Sequence, residues 1–407
     1  MRNGLLIVLA AVGLVGLTAL LTTPPATSEA ETVSRRVSKP PEVAEPEPAL
    51  ECTPAPIEKR AAQLLVVGLP GVVTGEEPLA QELTEIGVGG VLLQKPNVAD
   101  PEQVRALIEA LRSRSEAPIL VSADEEPGRV STFRSLIGGS PSARTLAAEK
   151  SVEEIRNWSR DLGVELSDLG VDLDLGPVVD LDGGDPRGII GDRSFSLDPA
   201  LTTSAGLAFS EGLIEAGVLA AAKHFPGHGR SPTDSHVSLA TVEADLGDLR
   251  ATDLAPFQAQ IDAGVPVVML AHVGFSALDP NLPASLDPNA YALLREMGFQ
   301  GVAMTDSLGM GAVNTTWSYT DAAVKAVAAG ADSLLASDGN QARAMRDALV
   351  AAVNEGRLSE SRVDEAAARM LVLKGADPGL LACTGASTPA MAARVHQQRS
   401  PTSGGGP

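Results

Sequence analysis

The chain has five histidines, and three of them stand at 224, 228 and 236. In the stretch AAKHFPGHGRSPTDSH, Lys223 and His224 end an apolar run. Pro226, Gly227 and Gly229 then force a turn that is neither helix nor strand. Asp234 and His236 follow two positions apart, so in extended backbone they point the same way and the carboxylate can reach the ring. A carboxylate that accepts the Nδ1 proton fixes the tautomer and orientation of an imidazole. The other ring nitrogen is then free to give or take a proton near neutral pH. His224, His228, Asp234 and His236 could also be read as metal ligands. Their spacing lacks the helical i, i+4 pair and the known zinc patterns, so neither a metal nor a cofactor is expected. A second acid stands at Asp306, which ends GVAMTDS and opens the turn Leu308–Gly311. A carboxylate there can act as a nucleophile at an anomeric carbon or simply cap the next helix. His272 and His396 are read as structural.

Such groups need a scaffold that brings distant segments to one place. Eight short apolar runs recur: Leu64–Leu69, Gly87–Leu93, Ile119–Asp124, Val171–Val179, Val218–His224, Val265–His272, Val302–Asp306 and Ser333–Ser337. Each is nearly continuous in Val, Leu, Ile, Ala or Met, as suits strands of a parallel sheet buried on both faces. Helical patterns lie between or after them at Pro101–Arg114, Pro199–Ala216, Leu249–Ala263, Asp321–Ala329, Gln341–Glu355 and Ser361–Lys374. Eight strand–helix units predict an α/β chain folded as a single (β/α)₈ TIM-type barrel. A flavodoxin-like sheet plus a second domain is the alternative. No GxGxxG or Walker loop follows any strand. Asp124, Lys223 with His224, His272 and Asp306 each stand where an apolar run stops, which is where a barrel carries its chemistry.

The 31 Lys+Arg against 52 Asp+Glu leave a net charge of −21. That argues against nucleic acid, whose phosphates need cations to displace counterions, and against a basic patch docking on anionic lipid. Aromatics are 3% of residues, with two Trp and two Tyr, so a sugar site would work mainly by hydrogen bonds in a small pocket rather than by stacking. Residues 1–30 read as a signal peptide or signal anchor around the apolar run Leu5–Leu21. Residues 31–50 read as a disordered linker, 51–384 as the barrel and 385–407 as a flexible tail. Export would place the two cysteines, Cys52 and Cys383, in an oxidising compartment. They flank the globular part, and a disulfide between them is expected.

The combination of KHFPGHG with DSH, and Asp306 in TDSLGM, resembles the bacterial β-N-acetylglucosaminidases of glycoside hydrolase family 3. SADEEPGRV at 122–130, GVDLDLGPVVDL at 170–181 and IIGDRSF at 189–195 are similar to further motifs of that family. The resemblance covers about residues 57–375. It implies Asp306 as nucleophile, His236 as acid/base and Asp234 as its partner, with Asp124, Arg193, Lys223 and His224 holding the sugar. It also implies retaining removal of terminal N-acetylglucosamine; together with the N-terminal leader it suggests β-linked cell-wall (peptidoglycan) fragments as the target, and a small pocket poor in aromatics fits an exo mode. The expected partner is a small carbohydrate met by a monomer, without nucleic acid, with membrane contact only through the N-terminal segment. The absence of a second α/β sandwich domain favours the glucosaminidase branch. Phosphorolysis or another family 3 β-glycosidase activity is the alternative, and a non-catalytic sugar-binding protein is the rival from another class. The chain departs from the family in three places: Thr132 replaces an Arg, with Arg134 two further on, Ser307 replaces an Asp, and Pro127 replaces a Gly.

Overall fold

A computed structural model of the protein describes residues 53–185 and 188–399. Eight parallel strands form one sheet: β1 Leu65–Gly68, β2 Gly90–Leu93, β3 Leu120–Ala123, β4 Leu173–Asp174, β5 Leu219–Phe225, β6 Val267–Leu270, β7 Val302–Thr305 and β8 Leu334–Ala336. Each falls inside or across one of the eight apolar runs. Their order is β8-β1-β2-β3-β4-β5-β6-β7, and a parallel bridge between Met304 and Ser333 closes the ring. The chain is therefore a single (β/α)₈ barrel. The strands are buried along nearly their whole length because helices cover them outside and side chains fill them inside.

The helices start where local chemistry tells them to. Pro101–Arg114 opens on Pro101, and the Asp100 side chain accepts the Gln103 N–H as an N-cap. Ser151 and Glu154 form a reciprocal capping box at the head of Val152–Leu169. That helix packs closely on Pro199–Glu215. The contact needs Gly212, where a Cβ would sit 1.9 Å from Ser159 Oγ and 2.3 Å from the Arg156 carbonyl.

Two segments differ from the sequence reading. The helix expected over 249–263 is two, Leu246–Ala251 and Leu254–Asp262. Between them Asp253 turns inward, nearly fully buried, and takes the Arg230 guanidinium at 2.8 Å. The segment assigned to a flexible tail contains the helix Ala390–Arg399. Met391, Ala392 and Val395 are buried, and Arg399 pairs with Asp172 at 2.6 Å. This small apolar face was hidden in a Ser, Thr, Gly and Pro-rich composition. His396 on it bonds the Leu373 carbonyl at 3.1 Å, the structural role expected of it. The Leu5–Leu21 run and Cys52 lie outside the described residues; Cys383 is not a free thiol. Among the described residues no helix is long and apolar enough to cross a membrane.

The strand that carries Asp306 is fastened from behind. Asp332, fully buried just before β8, accepts from Arg295 at 2.5 Å, Arg369 at 2.9 Å and Arg362. It also accepts the Ala303 N–H of β7 at 3.0 Å. Burial alone would raise its pKa, but the three guanidinium groups outweigh that and keep it ionised. Removing one partner from a buried charge cluster typically costs about 3–5 kcal/mol, because the remaining charges lose their compensation. Asp332→Ala should lower stability to urea by about that much; a loss under about 1 kcal/mol would show that the cluster does not secure β7.

Candidate active site

A cavity of about 460 Å³ opens at the C-terminal ends of the strands. Asp124 enters it just after β3, Lys223 and His224 from the end of β5, and Asp306 and Ser307 just after β7. Arg193 and His236 reach it from the loops after β4 and β5. A larger cavity of about 850 Å³ lies at the opposite end, beside Leu120, Asp172 and Leu219. There Asp172 takes Arg112 and Arg399 and fastens outer helices to the barrel bottom.

The floor of the upper cavity is a chain of buried charges. Lys223 Nζ lies 2.7 Å from Asp124 Oδ1 and 2.7 Å from Glu126 Oε1. Arg193 holds the same Glu126 through Nε and Nη2, both at 2.7 Å. Burial would drive each of these groups toward neutrality. For Glu126 the Arg193 and Lys223 charges outweigh it and push the pKa far down. For Lys223 and Arg193 the facing carboxylates likewise outweigh burial and push the pKa up. All three stay charged. Asp124 keeps its side chain 36% exposed at the cavity and turns one oxygen to Lys223.

Asp306 sits beside this chain. The Ser307 N–H donates to its Oδ1 at 2.7 Å. Burial acts to raise its pKa, but His272, His224, the Ser307 N–H and Lys223 outweigh it and hold the value at about 2. The group is a carboxylate at any physiological pH and is available as a nucleophile. His272, behind it, donates Nε2–H to the Ser307 carbonyl at 2.9 Å and meets Ser285 Oγ at 2.6 Å. Burial lowers its pKa, against the opposing pull of the Asp306 charge and the Ser307 carbonyl.

The loop after β5 carries the expected dyad. His236 Nδ1 lies 2.8 Å from Asp234 Oδ1, with side chains 64% and 44% exposed. The same oxygen accepts the His236 N–H at 2.9 Å. Burial would raise the Asp234 pKa, but these two bonds to His236 bring it below the usual range. The loop is tethered at several points. Arg230 bonds Asp248 at 2.7 Å and Asp253 at 2.8 Å. His228 Nε2 lies 2.9 Å from Ser235 Oγ, and burial lowers the His228 pKa to about 4, so this ring is neutral at pH 7. The carbonyls of Ser235 and His236 accept the N–H groups of Ala312 and Gly311 at 3.0 and 3.1 Å. A Cβ at Gly311 would sit 2.5 Å from the Val237 carbonyl, so only glycine lets the loop carrying His236 dock on the turn after Asp306.

All seven expected site residues thus meet around one cavity, Asp234 through its bond to His236. His224, His228, Asp234 and His236 do not converge as a metal-ligand set, nor does any other such group among the described residues. Arg134, two positions beyond Thr132, does not line this cavity. It is exposed and bonds the Gly128 carbonyl, while Thr132 is buried. Sequence reasoning missed Glu126 and Asp180. Both are acids that follow an apolar run, Glu126 after Ile119–Asp124 and Asp180 after Val171–Val179, the same signal that marked Asp124.

The comparisons agree with this geometry. Residues 56–373 match the glycosyl hydrolase family 3 N-terminal domain. The chain is 38% identical over 331 residues to the beta-hexosaminidase LpqI of Mycobacterium tuberculosis, covering 79% of this chain and 83% of that protein. It superposes on the structure of that LpqI with a TM-score of 0.73, over 80% of this chain and 95% of the other. A family 3 β-N-acetylglucosaminidase from a Paenibacillus strain gives a TM-score of 0.74 at 33% identity, over 84% of this chain and 67% of that one. A barrel matched along most of its length by sequence and by shape leaves one assignment: the chain belongs to glycosyl hydrolase family 3 and is a glycoside hydrolase.

Proposed function

We propose that the protein is a retaining, exo-acting β-N-acetylglucosaminidase that removes terminal N-acetylglucosamine from β-linked cell-wall fragments. The observation that carries this reading is the pairing, at one cavity, of a carboxylate held ionised with an imidazole whose Nδ1 is tied to a second carboxylate. Asp306 attacks the anomeric carbon as the bond to the leaving oxygen breaks, and His236 Nε2–H protonates that oxygen. A glycosyl ester of Asp306 results. Water then attacks the same carbon, gives its proton to the now neutral His236 and releases Asp306 as a carboxylate. Asp124, Arg193, Lys223 and His224 hold the sugar hydroxyls. The small, aromatic-poor cavity supports an exo mode, and the names of the related hexosaminidases support the sugar class.

Leaving groups separate the roles. Asp306→Ala should remove turnover of every substrate. His236→Ala should spare much of the first step with a 4-nitrophenyl glycoside, whose phenolate needs little proton help. A sugar leaving group should lose about 10²–10⁴-fold. A carboxyl pKa held at about 2 makes Asp306 ionised above it. The acid side of kcat/KM for His236→Ala with the aryl substrate should therefore be flat down to about pH 4. Equal losses for both leaving groups, or an acid limb at an ordinary carboxylate pKa, would contradict these roles.

We also propose that the protein is exported and that Cys52 and Cys383 form a bridge joining the two ends of the barrel. Such a long loop would contribute up to about 5 kcal/mol in the chain-entropy account. Thiol titration of the unreduced, denatured protein should find no free thiol, and two reactive thiols would refute the bridge.

A further inference from the structure

Asp180 lies six residues beyond the end of β4, two after Val178, which bridges to Lys223 of β5. It is 1% exposed and does not line the cavity, yet it touches two parts of the site. Its Oδ2 lies 2.7 Å from His224 Nδ1. Its Oδ1 accepts the backbone N–H of His224 at 3.1 Å and that of His228, on the acid/base loop, at 2.7 Å. Burial acts to raise its pKa, but the His224 ring and these bonds outweigh that and bring it below the usual carboxylate range.

An ionised carboxylate can only accept hydrogen bonds. At 2.7 Å from Nδ1 it demands a proton there. His224 therefore turns Nε2 to a ligand as an acceptor when the ring is neutral and as a donor when it is charged. Without Asp180 the ring could swap tautomers and turn, and Nε2 would lose its defined role toward a sugar hydroxyl. The same carboxylate fixes the first residues of the turn that leads to Asp234 and His236.

We infer that Asp180 is a positioning residue of the active site, holding His224 as its Nδ1-protonated tautomer toward the sugar and anchoring the root of the acid/base loop. The inference rests on the reading of His224 as a sugar-holding residue.

The test joins spectroscopy to a mutant cycle. In ¹⁵N-histidine-labelled wild-type protein the His224 signal, assigned by its loss in His224→Ala, should show a proton on Nδ1. In Asp180→Asn the carboxamide can still accept both backbone N–H groups, but it offers an N–H to the ring. The His224 proton should move to Nε2. The value of kcat/KM should fall about 10–100-fold, the scale seen when a metal-ligating histidine loses the partner that orients it. Combined with His224→Ala, Asp180→Asn should add less than about 3-fold, because the two changes remove the same contact. A wild-type His224 protonated on Nε2, or full additivity in the cycle, would overturn the inference. The wild-type spectrum decides the point even if Asp180→Asn fails to fold. Asp306→Ala is assayed alongside: retained activity there would overturn the catalytic reading while leaving the tautomer result to judge Asp180.

Discussion

The site depends on keeping one ammonium group charged inside the barrel. The Lys223 side chain is 2% exposed, and a cation out of water is costly unless fully paired. Asp124 and Glu126 supply the pairing from the far side of β4, and Arg193 then balances the second charge of that cluster through Glu126. The result is a chain of alternating charge joining the ends of β3 and β5 to the loop after β4. Its members cannot move independently, because each is the compensation for the next. A ligand held by these groups, as proposed for the sugar, would meet side chains whose directions are already set, so little ordering would remain for binding to accomplish.

Around this rigid floor the two proposed reacting groups sit in different surroundings. Asp306 is close to the charged floor and to His272, and is held ionised by them. His236 is on a loop, 64% exposed, as suits a group that must meet varied leaving groups and then an incoming water. The loop owes its position to specific tethers: the Asp180 carboxylate at its root, Arg230 along its back, the His228–Ser235 bond within it, and the docking on Gly311 and Ala312 at its tip. That docking joins the loop to the turn that follows Asp306, so His236 and Asp306 share one support.

Much of this was legible in the sequence, for definite reasons. The strands of a closed parallel barrel are buried on both faces, so they read as continuous apolar runs, and all eight stood out. Asp234 and His236 were legible because two-residue spacing gives a direct geometric inference. Glu126 and Asp180 were not singled out because their partners, Arg193 with Lys223 and His224 with His228, are distant in sequence and become neighbours only when the barrel closes. The break in the helix over 249–263 is of the same kind: Asp253 is drawn inward by Arg230 of another segment. Position 132 is a different case: Thr132, standing where the family has an Arg, is buried, and the nearby Arg134 turns to the Gly128 carbonyl.

The central claim is that Asp306 carries the sugar between two steps while His236 serves both. The direct measurement is mass spectrometry of His236→Ala quenched during turnover of an aryl β-N-acetylglucosaminide. Loss of the base slows the second step more than the first, so one N-acetylhexosamine should accumulate as an ester on the peptide holding Asp306. A label on Asp124 or Asp234, or no covalent species while the aryl substrate is still being turned over, would contradict the account.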